Sequence, residues 1–104
     1  MIKVKLIKDS NKVKEITIKG HALYDDFGKD IVCAAVSSTV ITSVEMIASI
    51  DENAITVNEA TNKLTITINK HDTIIDKLTN TMINLLKEIE KKYPKNIKIT
   101  NKEE

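Results

Sequence analysis

A chain of 104 residues can bury one hydrophobic core without disulfide or metal staples and is too short for two ordinary domains, so residues 1–104 are read as a single domain. Sixteen basic residues, all of them lysine, stand against fifteen acidic ones for a net charge of +1. A dedicated nucleic-acid module would show a clear basic excess and arginine forks, so no direct nucleic-acid partner is expected.

Hydrophobic residues make up 41% of the chain and aromatic ones 3%, which leaves Ile, Val and Leu to build the core. The single cysteine excludes an internal disulfide. The start, MIKVKLIKD, lacks the apolar region of a signal peptide, and no apolar run is read as approaching the length of a membrane span. These features set the expectation of a soluble cytoplasmic protein with no membrane partner, in a compartment where a thiol survives.

Ile2, Val4 and Leu6 alternate with Lys3 and Lys5, Asp9-Ser10-Asn11 supplies turn residues, and alternation resumes from Val13 to Lys19. This pattern predicts a β-hairpin with one buried face and its lysines on the wet one. Gly20 ends the second strand. Ala22 to Lys29 reads as a polar, acidic loop bounded by Gly20 and Gly28, able to hinge at its glycines. Asp30 then stands where a helix N-cap belongs.

Val36, Val40, Val44 and Ile47 recur at helical spacing, so residues 31 to 50 are read as a largely buried helix despite their β-branched content. Asp51-Glu52-Asn53 breaks it. Ile55 and Val57, then Leu64, Ile66 and Ile68, predict a second hairpin turning near Thr61-Asn62. Asp72 caps a second helix whose apolar stripe runs through Ile75, Leu78, Met82, Leu85 and Ile89. Pro94 stops that helix, Asn96 to Thr100 offers a last strand, and Asn101 to Glu104 is expected to fray. The order ββαββαβ predicts an α+β fold, one mostly antiparallel sheet packed with two helices.

Chemistry concentrates between Gly20 and Ser38, GHALYDDFGKDIVCAAVSS, which holds the only cysteine, one of two histidines and both glycines. A cysteine attacks as thiolate, and an ordinary pKa of about 8.5 leaves only a few per cent ionised at neutral pH. With Asp30 as cap, Cys33 is the third helical residue, where a helix dipole contributes about 0.3 to 1 kcal/mol, less than one pKa unit. A protonated imidazole can supply the rest, and His21 lies twelve positions earlier, within reach of a returning loop.

Ser37, four residues beyond Cys33, shares its helical face, and Asp30 can either orient an imidazole or cap the helix. Taken alone, a thiol in an apolar helix is more often a small buried hydrophobe than a nucleophile. Tyr24 and Phe27 either line an apolar pocket or pack the loop down. One cysteine and one histidine are too few ligands for structural zinc, so neither metal nor cofactor is expected. His71, beside Asp72, is read as a surface residue.

At these residues the sequence resembles the ribosomal-processing cysteine protease family, Prp, in GHA-x-Y at Gly20 to Tyr24 and in G-x-DIVCAAVS from Gly28 to Ser37. The resemblance implies a homodimeric bacterial endopeptidase that removes an N-terminal extension from a large-subunit ribosomal protein. Carried onto this chain, it implies Cys33 as nucleophile and His21 as general base and acid. Asp30 and Ser37 become supporting positions, and Gly20, Ala22, Tyr24, Phe27 and Gly28 belong to a substrate-gating loop. Two other functions fit the same residues, a non-catalytic ribosome-associated binding protein and a thiol redox switch.

Overall fold

The computed structural model describes the backbone of residues 1–20 and 27–104, and side chains for residues 1–20 and 31–104. The first hairpin pairs β1 (Ile2–Asp9) with β2 (Lys12–Lys19). Its two-residue turn places Ser10 and Asn11 at φ of 53° and 67°. Two consecutive left-handed residues match the right-handed twist of the strands they join, and Asn tolerates that region best after Gly.

Helix α1 (Phe27–Ile50) follows, and Asp51 then accepts the Asn53 N–H at 2.9 Å to form a short 3-10 turn into β3 (Ile55–Ala60). β3 turns at Thr61-Asn62 into β4 (Lys63–Ile68), with Asn62 at φ 66°. Asp72 caps α2 (Thr73–Lys92) as expected, its carboxylate accepting the Ile75 N–H at 2.9 Å. β5 (Ile97–Glu103) closes the chain.

The sheet runs β3-β4-β2-β1-β5. Every neighbouring pair is antiparallel except β1 with β5, so the sheet is mixed and mostly antiparallel, and the fold is the expected α+β ββαββαβ. One sheet face is covered. Val4, Leu6, Ile16, Ile18, Ile66, Ile68 and Ile97 point from it into a core completed by Val32, Val36, Val40 and Ile47 of α1 and by Ile75, Met82, Ile83 and Leu86 of α2.

Three sequence expectations change. The α2 stripe is rolled by about one residue: Thr79, Ile83 and Leu86 are buried, while Leu85 is 49% exposed. Helix packing against both β-strands and α1 chose the burying face, and Thr79 is tolerated there because its hydroxyl donates to the Ile75 carbonyl at 2.9 Å. Residues 101–103 are strand, paired with Leu6, Ile7 and Lys8, and the Glu104 N–H donates to the Lys8 carbonyl at 2.8 Å. Backbone pairing along all of β1 holds this polar end, which no hydrophobic pattern could announce.

The third change concerns α1. Ile31–Ile50 is a 20-residue stretch of mean hydropathy 1.8, long and apolar enough to cross a membrane, contrary to the sequence expectation. Its Val32, Val36, Val40 and Ile47 pack in the core, but most of the stretch is half-buried or exposed, so α1 is not the largely buried helix expected.

Candidate active site

β2 delivers the chain to the site. At its end Gly20 has a φ of +84°, and a Cβ there would come within 2.6 Å of the Met1 carbonyl oxygen. L side chains rarely adopt that φ and a Cβ would collide with backbone, so the backbone turns at a glycine immediately before His21. His21, Ala22 and Tyr24 lie outside the described residues.

Cys33 is the seventh residue of α1, not the third. The helix begins at Phe27, so Asp30 is its fourth residue and not its N-cap, a shift larger than the usual ambiguity of helix ends. A cap contributes about 1 kcal/mol, whereas the longer helix gives the N–H groups of residues 31 to 33 carbonyl partners at 27 to 29. Phe27 and Gly28 therefore belong to the helix backbone, and Gly28 does not close the loop as a hinge. The first-turn dipole, which fades within one turn, is correspondingly weaker at Cys33 than the sequence suggested.

Cys33 is half-buried and packs against the core, so part of its surface still meets solvent. A structural thiol sealed in apolar surroundings would be inert, and this one retains the access a nucleophile needs. Ser37, also half-buried, lies one helical turn onward on the same face, as its spacing predicted.

The same line continues to Ile41, 61% exposed, at the mouth of a recess of about 120 Å³ lined by Ile18, Ser37, Ile41, Glu59 and Leu64. The recess was not read from the sequence. Its far wall comes from the β3–β4 hairpin, and the only local signal is the spacing of 33, 37 and 41. Largely apolar and open to solvent, it suits a hydrophobic side chain of an extended peptide.

His71 is a surface residue, as read, with its Nδ1 2.9 Å from Asp76 Oδ1. That pair belongs to the start of α2, where Lys12 also reaches Asp76 at 3.3 Å.

A family model described as cysteine protease Prp matches residues 1–98. The chain belongs to the Prp family. The match spans far more than the motif that carries Cys33. A relative from Staphylococcus aureus, named ribosomal processing cysteine protease Prp, is 32% identical over 99 residues, covering 92% of this chain and 93% of the relative. A crystal structure of S. aureus Prp in complex with a substrate peptide has a TM-score of 0.88 at 26% identity, covering 98% of this chain and 100% of that one. A second, with a covalently linked product peptide, has a TM-score of 0.85 at 28% identity with the same coverage. As a Prp-family member the chain is a cysteine protease, a hydrolase of peptide bonds.

Proposed function

We propose that this protease removes the N-terminal extension of a bacterial large-subunit ribosomal protein, with Cys33 as nucleophile and His21 as general base and acid. The observation that carries the reading is the half-buried Cys33 one helical turn before Ser37, which lines an apolar recess, in a chain that matches the Prp family over residues 1–98. The relative's name links it to ribosomal processing, and its covalently linked product peptide is what nucleophilic catalysis leaves on a thiol.

In this mechanism the Cys33 thiolate attacks the scissile carbonyl carbon. The C–N bond breaks as the His21 imidazolium protonates the leaving amine, and a thioester remains. Water, deprotonated by His21, hydrolyses the thioester and returns the thiol. The α1 N–H groups without intrahelical partners are those of residues 27 to 30, the nearest about 4.5 Å along the axis from Cys33 at about 1.5 Å per residue. They are the donors available to a developing oxyanion. Asp30 and Ser37 support the site.

The enzyme acts as a homodimer in the cytoplasm, where ribosomal proteins are made and a thiol stays reduced. The test is incubation with the host's extended ribosomal-protein precursor, wild type beside Cys33→Ala, with the products read by intact mass. One cut near the precursor's N-terminus, absent with Cys33→Ala, is the expected result. Binding without cleavage by the wild type would replace this function with that of a non-catalytic ribosomal partner.

A further inference from the structure

Four lysines stand in register across four adjacent strands on the sheet face that carries no helix. Lys63 pairs with Lys19, Lys19 with Lys3, and Lys3 with Lys98. Strand alternation puts Lys5 and Lys102 on the same face. On that face, from this row to the bulge at Ile7/Lys8, Glu15 is the one carboxylate the five strands present, so six lysines oppose a single strand acid in a chain whose net charge is only +1.

Like charges directly opposite one another destabilise a sheet, and this row contains three such pairs. Among the described residues no ion pair relieves them; the paired lysines are Lys12, Lys14 and Lys70, all elsewhere. The lysine stems flank Thr17, which is only 8% exposed, and together with Thr100 these residues line an open depression of about 500 Å³.

We propose that this lysine face binds the backbone of double-helical RNA. Interstrand spacing of about 4.8 Å spreads the four-lysine row over about 14 Å, a line of point charges suited to successive phosphates. Thr65 and Thr100 alternate with the lysines and offer hydroxyls to phosphate oxygens and 2′-hydroxyls. Among the described residues the face carries no aromatic side chain on which an unpaired base could stack, which disfavours single strands. Both helices lie behind the sheet, so none can enter the major groove of DNA, whereas the shallow minor groove of an A-form helix accepts a flat surface. The near-zero net charge conceals this asymmetry.

The test is fluorescence anisotropy with a labelled RNA duplex and the intact protein, titrated at several salt concentrations. Wild type should bind at low salt with a log–log salt slope of roughly −4 to −5, as four to six phosphate contacts require. Lys19→Glu with Lys98→Glu converts the row to alternating charges, so the fold should melt no lower than wild type while RNA affinity falls at least about tenfold and the slope shrinks by about 2. Lys77→Glu with Lys87→Glu, on the exposed side of α2, should change affinity less than about twofold. Failure of wild type to bind duplex RNA at low salt would overturn the proposal. So would equal loss in the α2 variant, or equal binding of duplex DNA, single-stranded RNA or polyglutamate.

Discussion

Single residues fix where the chain turns and how the ends of its elements are charged. Asp76, in the first turn of α2, receives both Lys12 and His71. Its partial burial works to raise the carboxyl pKa, but the hydrogen bonds from His71 and Lys12 outweigh it and hold the group below its ordinary value. A carboxylate depressed in the folded state contributes stability above its unfolded value, about 3.9, and that contribution is lost as pH falls through the lower folded value. Asp76→Asn should therefore lower the thermal midpoint by a few degrees at pH 7, with about 1 kcal/mol as the scale for so exposed a pair. Melting curves at about pH 2.5 should bring mutant and wild type together; a gap unchanged down to that pH would show that packing, not charge, is responsible.

At the scale of elements, the exposed sheet edge at β5 is managed by a helix. The Ile99 N–H, pointing away from β1, donates to Glu90 Oε2 of α2 at 2.8 Å. Without it a half-buried donor at a strand edge loses its acceptor, a loss of about 1 to 3 kcal/mol, and the edge becomes available for pairing with another chain. Glu90→Leu should lower the unfolding free energy from urea titration by that amount, while Glu90→Gln, which keeps a carbonyl acceptor, should recover most of it. Equal loss in both variants would assign the effect to the charge of Glu90 rather than to its hydrogen bond.

At the scale of the whole molecule, both helices cover one face of the sheet, and apolar side chains remain exposed along the groove between them. Ile31 and Met46 of α1 are 61% and 48% exposed, and Leu85 of α2 and Tyr93 just beyond it border the groove between the helices with them. A helix apolar on every side is normally buried, so this surface supports the proposed homodimer through α1 and α2. Leu85→Glu should leave the core intact, because Leu85 is not part of it, and should convert a dimer to a monomer in size-exclusion light scattering. A dimer that survives the substitution would move the contact elsewhere, and a monomeric wild type would remove the dimer from the proposal.

Hairpins and caps were legible because their causes are local: Ser10-Asn11 and Thr61-Asn62 tolerate the left-handed turns their strands require, and Asp72 reaches the N–H three residues ahead. The motif around Cys33 was legible for the same reason, since four residues of helix place Ser37 beside it wherever the helix starts. Long-range packing decided the rest. It rolled α2 to bury Leu86 in place of Leu85 and held residues 101–103 as strand through β1, whereas the start of α1 at Phe27 follows from the local gain of helix hydrogen bonds over the capping preference of Asp30. Neither the recess beside Ser37 nor the lysine row is contiguous in the chain. Each exists because strand register brings β4 against β2 and β5 against β1, and register is a property of paired backbones that no single segment encodes.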